Sequence, residues 1–198
     1  MEPRTLTNVS WKLKAFSDSD YAGDPDSRIS VTGWAIYLCD VLIAWQSKGQ
    51  KSVTLSSSEA EYVAFSEAAK NIKFIYMILQ DMGIRVELPI VVQVDNIGAI
   101  FMSENIVTSQ RTKHIDVRYK FVNEFVEDGF VKIIFVRSEE NDADLFTKNL
   151  GGELYEKHAR KMIERKGGLE TNRKGVESVS PESNESDESK GVTRLGHV

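Results

Sequence analysis

The sequence is poor in several things that would each point to a particular kind of protein. Its 198 residues hold one cysteine, Cys39, so an internal disulfide is impossible. Cys39 sits in the apolar run "WAIYLC" with no nearby His or Cys to share a metal, and it is expected to be a buried structural thiol. No run of about 18 apolar residues is available for a membrane span, and "MEPRTLTNVS" lacks the apolar stretch of a signal peptide. The expectation is therefore an intracellular chain with no membrane partner, cytoplasmic or nuclear, in which the Asn-x-Ser sequons at Asn8 and Asn184 carry no meaning. An excess of positive charge is also missing. A net charge of -5 argues against a general nucleic-acid coat protein, while leaving room for an enzyme whose acids hold cations.

What is present is enough apolar material, 41%, for one domain with a core. Composition changes near Gly167, and residues 167–198 contain no aromatic side chain, so this Ser/Glu-rich tail is expected to be disordered. Residues 1–11 read as a lead-in and 12–166 as the domain. In that domain "WKLKAFS" reads as a strand ending at an acidic turn. "VTGWAIYLC" and "VLIAWQS" read as two more strands forming a hairpin around Cys39 and Asp40. Apolar residues at helical spacing from Tyr62 to Leu79, with serines before and Gly83 after, predict a long helix. "PIVVQVD" reads as a strand buried on both faces. "NIGAIFMSEN" and "RTKHIDVRYKFVNEFVEDG" read as helices, "FVKIIFVR" as a fifth strand, and "DADLFTKNL" as the opening of a last helix that reaches about Lys166, with Gly151-Gly152 as a candidate break. The order βββαβααβα describes a mixed sheet with helices packed on it.

The acids carry the chemical signal. "FSDSDYAGDPDSR" holds Asp18, Asp20, Asp24 and Asp26, but a calcium loop counted from Asp18 would place Ala22 and Ile29 at ligand positions, which excludes it. An aspartyl-phosphate enzyme with a strand ending in Asp-x-Asp fits locally, yet a meander follows where that fold would make parallel crossovers. The remaining pattern is one of acids at element ends: Asp18 after the first strand, Glu61 in the first turns of the long helix, Asp95 after the fourth strand, and Asp144 at the start of the last helix. Each has an ordinary alternative. Glu61 stands at capping-box spacing from Ser58, although Glu59 has the same relation to Ser56. Asp144 suits a helix start and Asp95 an Asx turn. Together, acids converging within a few ångströms call for cations between them, and hard oxygen ligands suit Mg²⁺ or Mn²⁺. Two such ions ~3.5–4 Å apart make a phosphodiester-cleaving site.

The segments "SDSDYAGDPDSRISVTGWAIYL", "IAWQSKGQKSVTLSSSEAEYVAFSEAAK", "VQVDNIGAI", "RTKHIDVRYKFVNEFVEDG" and "NDADLFTKNL" closely resemble the ribonuclease H domain of copia-type LTR-retrotransposon polyproteins, over about residues 12–165. The resemblance implies a ribonuclease H-like α/β fold with a mixed five-stranded sheet, three antiparallel strands followed by two parallel ones, flanked by helices. It implies endonucleolytic hydrolysis of the RNA strand of an RNA/DNA hybrid, two divalent cations, and a reverse transcriptase domain as partner in the full polyprotein, inside a virus-like particle if the element is active. Carried over by motif, Asp18, Glu61, Asp95 and Asp144 are the catalytic and metal-binding acids; Asp20, two residues from Asp18, is an auxiliary candidate by position alone. The chain itself reads as a fragment or short product of such a polyprotein. One departure stands out: many ribonucleases H carry a histidine in the loop before the last helix, whereas this loop is "VRSEENDAD", with Glu139 and Glu140 as candidate substitutes.

Candidate nucleic-acid contacts follow from chemistry. Arg111, Lys113, His114 and Arg118 would position a backbone phosphate, and Lys48 and Lys51 would hold the DNA strand. Ser17, Ser58 and Asn96, next to the acids, are candidates for reading 2′-hydroxyls. The competing reading is a catalytically inactive, nucleic-acid-binding relic of a retrotransposon; the intact acid quartet favours the enzyme.

Overall fold

The computed structural model describes residues 10–23, 26–51, 54–96, 98 and 121–163. Strands β1 (Leu13–Asp20), β2 (Val31–Leu38) and β3 (Val41–Gly49) precede helix α1 (Ser57–Asp81). Strands β4 (Ile90–Val94) and β5 (Val131–Phe135) follow, then 3-10 turns at Ser138–Glu140 and Asp142–Phe146, and helix α2 (Gly152–Ile163). Residues 121–127 are helical. The sheet order is β3-β2-β1-β4-β5, with β1/β2 and β2/β3 antiparallel and β1/β4 and β4/β5 parallel. This is the mixed five-stranded sheet implied by the resemblance. The proposed helix at residues 96–105, the start of the next one, residues 1–9 and the tail lie outside the described residues.

Hydrophobic alternation builds the two faces. Leu13, Ala15, Trp34, Ile36, Val92 and Val94 point to one side and pack against Tyr62, Phe65, Ala68 and Ile72 of α1. Phe16, Ala35 and Tyr37 point to the other and pack against Ala143 and Phe146 of the second 3-10 turn and Met162 of α2. β4 is less enclosed than its apolar sequence suggests. Ile90, Val92 and Val94 are buried, but Val91 and Gln93 are half-buried, because the face away from α1 is open at this end of the sheet.

Cys39 is exposed, not buried. It and Asp40 have φ of 48° and 64°, so they form a two-residue turn of the kind whose twist matches paired strands. The turn turns both side chains away from the core even though the flanking sequence is apolar. The break at Gly151-Gly152 is where the sequence offered it, but the segment before it is a 3-10 turn and not the opening of an α-helix. The N–H groups of Thr147 and Lys148 both return to the Asp144 carbonyl, at 3.2 and 3.0 Å, which closes the turn. The α-helix starts again only at Gly152.

Gly33 makes that turn possible. It pairs with Asp18 across β1/β2, and a Cβ there would lie 2.6 Å from Thr147 Cγ2 and 2.9 Å from the Ala143 carbonyl oxygen. Backbone cannot yield as a flexible side chain can, so the 3-10 turn would have to lift off the sheet. Gly33→Ala is expected to cost about 1–3 kcal/mol, or roughly 2–10 °C in Tm for a domain of this size. Gly151→Ala, whose added methyl meets open space, should leave Tm nearly unchanged; thermal melts of the two variants check this.

Candidate metal centre

β1 and β4 run parallel with Phe16 opposite Gln93, so two residues further on Asp18 and Asp95 emerge side by side at the carboxyl ends of neighbouring strands. An open α/β sheet places its sites there. β1 does not stop at Asp18, as the sequence suggested; it continues pairing with β2 through Asp20. What ends at this level is the pairing with β4, and that opening gives the two carboxylates room.

Glu61 arrives from the other side, and the structure decides between the two capping readings. Ser56 Oγ accepts from the Glu59 N–H at 3.2 Å, and Glu59 Oε2 accepts from the Leu55 N–H at 2.7 Å. Ser56 thus caps the helix on the Glu59 N–H, and Glu59 reaches back one residue beyond the N-cap, a variant of the capping box that leaves Glu61 free to point into the sheet. Gln50 fixes the start of the same helix to the strands. Its Nε2 donates to Thr32 Oγ1 at 3.0 Å and to the Ala60 carbonyl at 2.9 Å.

One carboxylate oxygen each from Asp18, Glu61 and Asp95 lie within 4.8 Å of one another. Asp18 is fully buried and Glu61 is 6% exposed. Glu61 Oε1 accepts from the Ser19 N–H at 3.1 Å, while its buried Oε2 has no partner among the described residues. Asp144, 3% exposed, joins the trio through Lys148, whose Nζ lies 3.0 Å from Asp18 Oδ1, 3.1 Å from Asp144 Oδ1 and 3.9 Å from Asp95 Oδ2. Thr147 donates to Asp18 Oδ2, and Ser138 donates to Asp95 Oδ2 at 2.7 Å. Burial, then repulsion from Asp18 and Asp95, pushes the Glu61 carboxyl up to about 9. Burial and Asp18 push Asp144 up to about 7, against the pull of Lys148. For Lys148, burial favours the neutral form, but Asp18 and Asp144 outweigh it and hold the ammonium more firmly than usual. A hard all-oxygen set with an orphaned buried carboxylate oxygen fits a divalent cation of the Mg²⁺ type.

The second 3-10 turn is anchored by residues that local sequence reasoning missed. Asn141 is fully buried; its Nδ2 donates to the Ser17 carbonyl at 3.0 Å and its Oδ1 caps the Ala143 N–H at 3.2 Å. Asp142 accepts from Tyr37 Oη at 3.0 Å, shares a hydrogen bond with His158 Nδ1 at 2.8 Å and pairs with Lys161 at 3.2 Å. An Asn just before the Asp-Ala-Asp run was the only local hint of this. Asp20 lies apart from the acid trio, its carboxylate against Gly23.

The nucleic-acid candidates divide. Ser17 is fully buried, with its Oγ lacking a hydrogen-bond partner among the described residues, so it has no surface to offer a 2′-hydroxyl and is corrected to a packing position. Ser58 and Asn96 meet, Oγ to Oδ1 at 3.4 Å, and both are part-exposed beside the acids. Lys48 and Lys51 line a cleft of about 260 Å³ with Gln46, Gln50, Glu67 and Lys70. Arg111, Lys113, His114 and Arg118 lie outside the described residues. In the loop before α2, Glu140 is held below the usual carboxylate range, at about 2, by Lys157 and Lys161, and thus faces α2.

Glu61 and Asp144 bind protons more tightly folded than unfolded, so stability falls as pH rises from their ordinary values near 4.5 and 3.8 through about 9 and about 7. In EDTA the Tm should therefore decline between pH 5 and 9 by more than in a Glu61→Gln variant, and saturating Mg²⁺ should flatten the decline. Thermal melts across that range check the sign.

No family model matches the chain. It is 43% identical over 136 residues to the retrovirus-related Pol polyprotein from transposon TNT 1-94 of Nicotiana tabacum, which covers 69% of the chain. It is 37% identical over 150 residues, 76% of the chain, to the corresponding polyprotein from transposon RE1 of Arabidopsis thaliana. In both cases the chain spans 10% of the relative's length. Among solved structures it is similar to LC11-RNase H1 in complex with an RNA/DNA hybrid, with a TM-score of 0.51 at 14% identity over 69% of this chain and 94% of that one. It is likewise similar to LC11-RNase H1 isolated from compost, with a TM-score of 0.51 at 16% identity over 75% and 98%. The sequence relatives and the fold agree with the five motifs and with the sheet order: the homologues of this chain are copia-type retrotransposon Pol polyproteins, and its fold is ribonuclease H-like.

Proposed function

We propose that the domain is a metal-dependent endoribonuclease that hydrolyses the RNA strand of RNA/DNA hybrids, acting in reverse transcription beside a reverse transcriptase domain. The observation that carries this reading is the convergence of Asp18, Glu61 and Asp95 at the carboxyl ends of β1 and β4, with Asp144 brought in by the 3-10 turn. These four acids would hold two Mg²⁺ or Mn²⁺ ions, which when bound supply an activated water and stabilise the leaving oxygen. Thr147 and Ser138 orient the Asp18 and Asp95 carboxylates, and Gln50 and Asn141 hold Glu61 and Asp144 at the sheet.

Substrate contacts follow the same geometry. Ser58 and Asn96, adjacent to the acids, would meet the 2′-hydroxyls of an RNA strand in a shallow minor groove. Lys48 and Lys51, at the exposed end of β3, would take phosphates of the DNA strand. Arg111, Lys113, His114 and Arg118 would add phosphate contacts. Among the described residues no helix is long and apolar enough to cross a membrane.

The test is a labelled RNA/DNA hybrid incubated with Mg²⁺, Mn²⁺ or EDTA. The chain should cut only the RNA strand and only with a divalent ion, and Asp95→Asn should lose at least about a hundredfold in rate while keeping its fold. Cleavage by Asp95→Asn at saturating Mg²⁺ would sink the assignment, and binding without cleavage by the unmutated chain would support the relic.

A further inference from the structure

Lys148 has no part in the reading above, yet it occupies the middle of the acid cluster. Its side chain is 33% exposed, and its single Nζ reaches three of the four acids. The turn carrying it also carries Asp144 and Thr147, and its own N–H is tied to the Asp144 carbonyl at 3.0 Å. The ammonium is thus delivered on a short tether, at high local concentration, to a place where like charges are packed. Both oxygens of Asp18 are engaged, Oδ1 by Lys148 and Oδ2 by Thr147. A cation that takes Asp18 as a ligand competes with both of them for the same two oxygens. The ammonium is the group that can go: it is a point charge on a flexible stem with a route to solvent.

We infer that Lys148 is an internal counter-ion that holds the acid cluster together before a divalent cation arrives and must leave Asp18 and Asp144 for that cation to bind. It acts through the acids and is a positioning residue. It neutralises part of a charge cluster that would otherwise push its strands and turn apart, and it sets the affinity of the site by competing for the same oxygens. This inference rests on the reading of the cluster as a divalent-ion site.

The two roles have opposite signatures on removal, which separates them from ordinary packing. Calorimetric titration of the full chain with MgCl₂, with melts in EDTA, would compare the unmutated protein, Lys148→Met and Lys148→Arg. Lys148→Met should melt lower in EDTA yet bind Mg²⁺ about tenfold more tightly or better, since one competing charge a few ångströms away is gone. Lys148→Arg, which keeps a cation on the tether, should stay close to the unmutated protein on both counts. A Lys148→Met protein that is folded and binds Mg²⁺ equally or more weakly overturns the inference and leaves the metal site standing. Failure of both proteins to bind Mg²⁺ overturns the site and the inference together. Should Lys148→Met not fold, the Lys148 ¹³Cε signal of the unmutated chain decides: it should shift on Mg²⁺ saturation, and a signal that stays put contradicts displacement.

Discussion

Carboxylates held a few ångströms apart in a buried pocket repel one another more strongly than water would allow, and here that repulsion is built into the backbone. Asp18 is fully buried on the central strand, Glu61 comes from the buried first turns of α1 and Asp144 from a capped turn, so none of them is free to swing away. The consequence is visible in the carboxyls of Glu61 and Asp144, both driven toward the protonated form. Such a cluster is unfavourable as a structural feature, and it persists because the surrounding fold over-determines it. Cations resolve it, first the tethered ammonium of Lys148 and then, on our reading, divalent metal.

Much of the rest of the domain serves to deliver those acids. The parallel β1/β4 pair sets Asp18 and Asp95 side by side, and the antiparallel hairpin gives β2 its Gly33, the thin spot over which the Asp142–Phe146 turn lies. Through Asp142, Tyr37 ties that turn to β2 and His158 and Lys161 tie it to α2. Gln50 performs the matching task for α1. The four acids thus sit on rigid elements, and polar side chains one step back hold each of them in place.

The sheet and its long helix were legible because local signals and tertiary demands agree: a two-residue turn between apolar runs, a 3.6-residue stripe from Tyr62 to Leu79, an apolar run closed by Asp95. The acids of the trio were legible as motifs but not as a cluster, since nothing local says that β4 inserts beside β1. Capping of α1 had two equally good solutions, and only the structure shows Glu59 doing it. The misreadings share a cause. Cys39 has apolar neighbours but a left-handed backbone; Ser17 neighbours Asp18 but is fully buried; "DADLFTKNL" has helical residues but closes on itself once it meets Gly33 and Asn141. Each is decided by contacts from the far side of the chain, as between Asn141 and Ser17, which no window of adjacent residues contains.

The central claim, that these buried carboxylates form a divalent-cation site, is tested most directly by anomalous diffraction from crystals of the chain soaked in Mn²⁺. The account predicts manganese density bounded by Asp18, Glu61, Asp95 and Asp144, with the Lys148 ammonium withdrawn from Asp18. Well-ordered carboxylates with no anomalous peak between them at saturating Mn²⁺ would contradict it.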